Sequence, residues 1–154
     1  MPAARLADFL PYLLSVTSNA VSDRIAEEYR TRFGLRIPEW RIMAVLGDTG
    51  PATQRELATN TRMDKVAVNR ACKTLEERGL VQRSPNDRDG RSHHLELTAA
   101  GTAMHAAIMP LALEMEAQVF APLSAEEHQA FKTMLGRVRD AAGLSEPADK
   151  GDPE

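Results

Sequence analysis

The residues in this chain best suited to specific chemistry are hydrogen-bond donors on one face of a short predicted helix. The outward positions of that helix carry small, polar or cationic side chains: Lys65, Val66, Ala67, Asn69, Arg70 and Lys73. Asn69 can pair with adenine or donate to a phosphate, and Arg70 can form two hydrogen bonds with guanine. The small apolar residues can touch a thymine methyl, and the two lysines suit phosphate contacts. The pattern predicts a helix that enters the major groove of duplex DNA.

A polar loop further along the chain carries charged residues that favour a minor-groove contact. At the tip of a hairpin, Arg91 or Arg88 can enter the minor groove, where the negative potential is enhanced. Asp89 can hold the Arg91 guanidinium by a charge-assisted hydrogen bond, which makes Arg91 the better candidate. By itself this loop fits an ordinary charged turn, and the helix by itself fits a solvated surface. The DNA interpretation therefore depends on their combination.

Two consecutive helices are predicted to position these donors. Thr53-Gln54-Arg55-Glu56 has the form of a capping box and begins a short helix that continues to about Asn60. The first two residues of this box are included among the predicted DNA contacts. Asp64 suits the cap position of the second helix, which is predicted to end at Arg78-Gly79. The inner face of that helix is apolar: Val68, Ala71, Cys72 and Leu75.

A hairpin and four more helices complete the predicted fold. The hairpin strands are predicted at residues 80–84 and 92–97. The remaining helices are predicted at about residues 6–33, 38–47, 99–120 and 125–142. Pro11 either opens the first of them or kinks it after one turn, and Pro110 indicates a kink in the third. The fold class is therefore mainly α, with six helices and a small β-hairpin wing that completes a winged helix-turn-helix.

Composition limits the chain to a small globular protein. Hydrophobic residues make up 43% of its 154 residues and charged residues 27%, which is the balance of a soluble domain. The amino terminus contains no signal peptide or membrane span, and one cysteine excludes an internal disulfide. We therefore expect a cytoplasmic protein that does not bind a membrane. Residues 144–154 are rich in polar and charged side chains, so a disordered tail is expected there.

The distribution of charge decides whether DNA is a plausible partner. The whole chain has a formal net charge of −3, which by itself argues against binding to phosphates. Residues 51–94 contain nine Lys and Arg against six Asp and Glu, a net charge of +3. The rest of the chain therefore carries −6. Positive charge is concentrated where the predicted DNA contacts lie, as phosphate binding requires.

Other classes of function find less support. A redox sensor needs an accessible thiolate, but the spacing of Cys72 places it on the apolar face of its helix. A metal sensor needs converging ligands, and the histidines are scattered along the chain: His93, His94, His105 and His128. The sequence has no phosphate-binding glycine loop, zinc-binding helix motif or nucleophile elbow. We therefore expect no catalytic residues, no metal and no cofactor.

Taken together, these segments resemble the MarR family of bacterial transcriptional regulators. The resemblance rests on Pro38-Glu39-Trp40-Arg41, on DKVAVNRA at residues 64–71, on LEERGLV at 75–81, on Asp89-Gly90-Arg91 and on LELTAAG at 95–101. It also covers the order of all six helices, from about Leu6 to Ala142. Each segment by itself is common, whereas the combination is specific.

The resemblance implies a homodimer. Residues 1–37 would form an amino-terminal dimerisation helix, and residues 99–143 the carboxy-terminal dimerisation helices. Residues 38–98 would form the winged helix-turn-helix of each subunit. Two such modules match the two half-sites of a pseudo-palindromic operator. The wide apolar faces of the helices outside the module agree with such an interface.

The resemblance also implies a repressor that a small molecule releases from its operator. The effector would be an aromatic carboxylate or an acyl-CoA thioester, because Phe9, Tyr12, Trp40 and Arg41 resemble residues of family members that serve aromatic-acid catabolism. Trp40 suits core packing as well as a ligand site. The alternative is an effector-independent DNA-binding protein with the same dimer.

Overall fold

The computed structural model describes residues 4–85 and 92–143, which form six α-helices and a two-stranded antiparallel sheet. The elements are α1 (Leu10–Phe33), α2 (Ile37–Thr49), α3 (Gln54–Thr61), α4 (Lys65–Glu77), β1 (Val81–Pro85), β2 (His93–Leu97), α5 (Ala99–Val119) and α6 (Ala125–Ala141). This order confirms the predicted mainly α class. The predicted wing contacts Arg88, Asp89 and Arg91 and the predicted tail at 144–154 lie outside the described residues.

The chain divides into two compact units, with the boundary after Ala112 inside α5. The first unit contains α1 to α4, the sheet and the first part of α5. The second contains the rest of α5 together with α6. None of the helices in the described residues is long and apolar enough to cross a membrane.

The first long helix begins later than predicted. A 3-10 turn, Leu6–Asp8, precedes it, and α1 begins only at Leu10. Pro11 is therefore in the first turn of α1, where a missing amide removes no hydrogen bond within the helix. Of the two predicted roles, Pro11 opens the helix. At its other end the helix stops at Gly34, which has φ 64° and donates its amide to the carbonyl of Arg30 at 3.0 Å.

Both ends of α2 differ from the prediction. The amide of Arg36 donates to Glu39 Oε2 at 2.7 Å, and this cap lets the helix begin at Ile37. The helix also continues past Gly47 to Thr49. Gly47 was predicted to end the helix, but it is instead a packing position. The ring of His105 lies so close to it that a Cβ at residue 47 would collide with the imidazole.

The core of the first unit lies between α2, α3, α4 and the sheet. Its largest fully buried side chains are Leu35, Ile42, Met43, Leu57, Val68, Cys72, Leu75, Leu95 and Ile108. Burial of each large aliphatic side chain contributes roughly 1.5–3 kcal/mol, which makes this cluster the main source of stability for α3 and α4. The apolar face predicted for α4 is confirmed, since all four of its residues are buried.

The hairpin agrees with the prediction to within one residue at each strand end. The strands pair from Val81 with Leu97 to Pro85 with His93, so β1 is shifted by one residue and β2 begins one residue later than predicted. Ala52, in the link between α2 and α3, also pairs with Leu95 through two backbone hydrogen bonds of 3.0 and 2.8 Å. This third segment was not predicted. It ties the start of α3 to the hairpin.

The junction between the hairpin and α5 is tightly packed. Thr98 caps α5 as predicted, since its hydroxyl accepts the amide of Gly101 at 3.0 Å. The same hydroxyl donates to the carbonyl of Gly79 at 2.6 Å. Gly101 is buried directly against the carbonyl oxygen of Leu80, which leaves no room for a Cβ. From here α5 continues through Pro110 without interruption.

The second unit is a helical pair with a small aromatic cluster. The predicted capping box of α6 is confirmed, because the Ser124 hydroxyl accepts the amide of Glu127 at 3.1 Å and the Glu127 carboxylate accepts the amide of Ser124 at 3.0 Å. These hydrogen bonds lower the pKa of Glu127. Phe120 packs against His128 and Phe131, with ring centroids 5.7 and 6.0 Å apart. The apolar residues of α6 are largely exposed: Met134, Leu135 and Val138.

We expect Gly101→Ala to destabilise the protein, because its methyl group would overlap a backbone carbonyl that cannot move independently. Overpacking of this kind costs about 1–3 kcal/mol. Urea unfolding followed by circular dichroism measures the change. Gly136→Ala in α6 is the matched control, since the nearest atom to its Cβ would be Arg139 Nη2 at 3.9 Å. An equal free energy of unfolding for the two variants would contradict the packing described for Gly101.

Candidate nucleic-acid interface

The helix-turn-helix is formed by α3 and α4 and by a short turn between them. Both predicted caps are confirmed: Thr53 Oγ1 accepts the amide of Glu56 at 3.2 Å, and Asp64 Oδ1 accepts the amide of Ala67 at 2.8 Å. Between the helices, Arg62 adopts the left-handed conformation with φ 56°, which non-glycine residues adopt rarely outside tight turns. This turn sets the direction in which α4 leaves α3.

The outer face of α4 carries the residues predicted to contact DNA. Lys65, Val66, Asn69, Arg70 and Lys73 are all exposed, and Ala67 is half-buried. The side chain of Val66 is notable because it is apolar and yet 66% exposed. The structure therefore brings the six candidate residues to one accessible surface, opposite the four buried ones.

The start of α3 lies beside the middle of α4. Gln54 Nε2 is 3.5 Å from Asn69 Oδ1, at the long limit for a hydrogen bond. Both Thr53 and Gln54 are half-buried, and the Thr53 hydroxyl is occupied by its cap. Of these two candidates, Gln54 has the side chain better placed to contact DNA together with the exposed residues of α4.

One of the cations counted in the basic segment is paired within the protein. Arg83 on β1 forms a bidentate ion pair with Glu76 on α4, with N–O distances of 2.6 and 3.1 Å. The pair joins the first strand of the wing to α4. Arg83 is therefore engaged in positioning the wing rather than in offering its charge to a phosphate.

A second cation from the same count is also engaged internally. The Arg78 guanidinium donates to the carbonyl oxygens of Gly34 and Phe33, each at 3.0 Å. These contacts join the carboxyl ends of α1 and α4. This role is not visible in the sequence, because the partners lie 44 and 45 residues apart with no periodic pattern to connect them.

The only cysteine lies in the core beneath this surface. Burial raises the pKa of the Cys72 thiol from 9.0 to about 11, a nearby Arg83 lowers it and Glu76 raises it further. The thiol is therefore protonated at neutral pH and inaccessible, which is the opposite of what a redox sensor needs. Within the described residues, no group of three or more His, Cys, Asp or Glu converges as a metal site would require.

The residues predicted to bind an effector occupy different environments. Trp40 is half-buried, and its ring packs against Tyr29 and His105 with ring centroids 5.3 and 5.7 Å apart. The His105 ring is stacked on it. Arg41 follows it on an exposed part of α2. Phe9 and Tyr12 lie exposed at the start of α1. Across the described residues, the ring contacts of Trp40 are with Tyr29 and His105 rather than with Phe9 or Tyr12.

Known proteins are similar to this chain in both sequence and fold. A family model described as the MarR family matches residues 33–92, from the end of α1 to the wing. A probable transcriptional regulator from Pseudomonas aeruginosa is 32% identical and superposes with a TM-score of 0.80, over 87% of this chain and 99% of that one. The chain belongs to the MarR family. Members of this family are transcription factors rather than enzymes, so the chain is a DNA-binding transcriptional regulator.

Two further similarities extend the comparison. The transcriptional repressor NicR from Pseudomonas putida is 32% identical over 64% of this chain and 63% of its own length, so the match spans slightly less than two thirds of that repressor. The PcaV regulator from Streptomyces coelicolor, solved in complex with its natural ligand, is 25% identical with a TM-score of 0.77. That superposition covers 92% of this chain and 99% of PcaV.

We expect the Cys72 thiol to resist alkylation while the protein is folded. A pKa of about 11 instead of 9.0 lowers the thiolate fraction by about 100-fold at neutral pH, and burial lowers access further. The rate of reaction with iodoacetamide should rise as the pH approaches 11. Protein unfolded in urea is the control and should react at the rate of a free cysteine. A folded protein that reacts as fast as the unfolded control at pH 7 would restore the redox-sensor alternative.

Proposed function

We propose that this MarR-family protein is a homodimeric repressor that binds a pseudo-palindromic operator and leaves it when a small aromatic acid or its CoA thioester binds. The observation that carries the DNA-binding part is the two-sided character of α4. One side is fixed in the core by four buried residues, and the other presents donors to solvent. Such a helix can be inserted into the major groove as a rigid element.

Individual roles follow from the chemistry of each exposed side chain. Arg70 reads guanine, Asn69 reads adenine or holds a phosphate, and Val66 or Ala67 contacts a thymine methyl. The remaining contacts position the protein on the backbone: Lys65, Lys73, Thr53 and Gln54. At the wing, Arg91 supported by Asp89, or else Arg88, enters the minor groove. That assignment is supported by the sequence alone.

The homodimer is supported by apolar side chains that the isolated chain leaves in water. Outside residues 38–98, those with exposures above one half are Leu6 (59%), Phe9 (57%), Leu10 (76%), Leu113 (59%) and Val138 (56%). Exposed apolar groups in this number indicate a surface that a partner covers. We assign residues 1–37 and 99–143 to pairing with a second copy and residues 38–98 to DNA binding.

The effector is supported by the crystallised PcaV regulator, which holds its natural ligand. In this chain we place the ligand near Trp40 and Arg41, with Phe9 and Tyr12 as further candidates, because aromatic rings and one cation suit an aromatic carboxylate. The second candidate function is DNA binding without an effector. It is favoured by the contacts of Trp40 with Tyr29 and His105, which give that ring a packing role needing no ligand.

We expect Arg70→Ala to weaken binding to the operator and to relax the base preference at one position of each half-site. Loss of a bidentate base contact costs about 1–3 kcal/mol. Affinity is measured by fluorescence anisotropy on an operator selected from a random DNA library and on unselected DNA. Lys73→Ala is the comparison variant, because loss of a phosphate contact weakens binding to both DNAs alike. It also lowers the slope of log affinity against log salt concentration by about one. Equal weakening by Arg70→Ala on both DNAs would place Arg70 on a phosphate instead.

The effector prediction uses the only tryptophan of the chain, Trp40, as a reporter. We expect benzoate, hydroxybenzoates or their CoA thioesters to change its fluorescence, to raise the melting temperature and to release operator DNA over the same concentration range. Aliphatic acids of similar size serve as the matched control. If no aromatic acid or thioester releases DNA, the effector-independent alternative is the correct one.

A further inference from the structure

Arg78 forms a planar fork between two helices that end at the same place. It is the carboxy-terminal cap residue of α4, and its Nη1 and Nη2 donate to the carbonyls of Gly34 and Phe33, where α1 ends. The two hydrogen bonds have equal lengths of 3.0 Å. The carboxyl ends of α1 and α4 are therefore held together by one side chain.

The physical basis of this contact is the unsatisfied end of a helix. The last carbonyls of α1 have no amide partner within the helix, and they form the negative end of its dipole. A guanidinium suits this position because it is always charged and donates in fixed directions. Arg78 is exposed, so screening by water keeps its contribution to stability small. Its geometric effect remains, because two donors in one plane restrict the angle between the helices.

The fork acts alongside an apolar connection rather than replacing it. Helix α1 packs against α2, and α2 packs against α4, so the fold does not depend on Arg78 alone. Leu35, immediately after the fork, is fully buried and holds the end of α1 in the core. The fork is therefore an additional contact between the ends of α1 and α4.

We propose that Arg78 is a positioning residue that sets the distance between the two recognition helices of the dimer, and so selects the spacing of the operator half-sites. This inference rests on the proposed function, in which α1 belongs to the dimer interface and α4 enters the major groove. A rigid connection between them transmits the geometry of the interface to the DNA-reading surface. A looser connection lets α4 follow half-sites that are closer together or further apart.

The test compares operators whose half-sites are separated by the selected spacing or by one base pair more or less. One base pair shifts a half-site by about 3.4 Å and rotates it by about 34°. The variants are Arg78→Gln, which removes the charge and the fork, and Arg78→Lys, which keeps only the charge. Arg32→Gln is the matched control, since Arg32 lies in the last turn of α1 and pairs with Glu28 on the same helix at 3.1 Å. Dissociation constants are measured for every pair of protein and operator.

We expect the wild-type protein and Arg32→Gln to discriminate strongly against altered spacing. In Arg78→Gln that discrimination should fall by at least about fivefold, a coupling within the usual range. The dissociation constant for the operator with the selected spacing should change less. Arg78→Lys should lie between them. A folded Arg78→Gln protein with wild-type discrimination would overturn the inference, and if that variant does not fold, Arg78→Lys decides by the same comparison.

The wild-type measurement separates this inference from the proposed function. If the wild-type protein sediments as a monomer, or binds all spacings equally, the dimeric repressor is wrong and the inference fails with it. If the wild-type protein is a dimer with a clear spacing preference and the Arg78 variants share it unchanged, only the inference fails.

Discussion

The burial of one face of α4 is the constraint on which the rest of the structure depends. A helix repeats every 3.6 residues, so fixing Val68, Cys72 and Leu75 in the core directs Asn69, Arg70 and Lys73 outward. The same burial keeps the cysteine thiol protonated and out of reach. A single packing requirement thus decides which residues of α4 are exposed and removes the redox chemistry that a lone cysteine would suggest.

Charge in this protein has two separate uses. Some cations of the basic segment face solvent on α4, where they suit contacts with bases and phosphates. Others hold the reading module together: Arg83 ties the wing to α4, and Arg78 ties α4 to α1. Because an engaged guanidinium offers less to a phosphate, the formal charge of the segment overstates what DNA would meet. Arginine therefore serves two purposes in this segment: it holds the elements together, and it supplies positive charge for binding DNA.

Contacts between distant segments give the module its rigidity. Ala52 pairs with Leu95, Thr98 connects the end of α4 to the start of α5, and Gly47 and Gly101 allow His105 and the Leu80 carbonyl to approach closely. Each contact restricts the movement of one of these segments relative to another. A rigid reading head loses little conformational entropy on binding DNA, which favours affinity.

The sequence by itself determined the features that depend on neighbours within a few residues. These are the six helices, the capping boxes at Thr53 and Ser124, the apolar inner face of α4 and the small, polar or cationic character of its outer face. The tertiary structure alone decided that Gly47 is a packing position, that Ala52 joins the sheet and that Arg78 binds the end of α1. Local patterns follow from hydrogen bonds three or four residues apart, so a single sequence displays them. Contacts across 44 residues exist only after the helices have packed, and no local pattern encodes them.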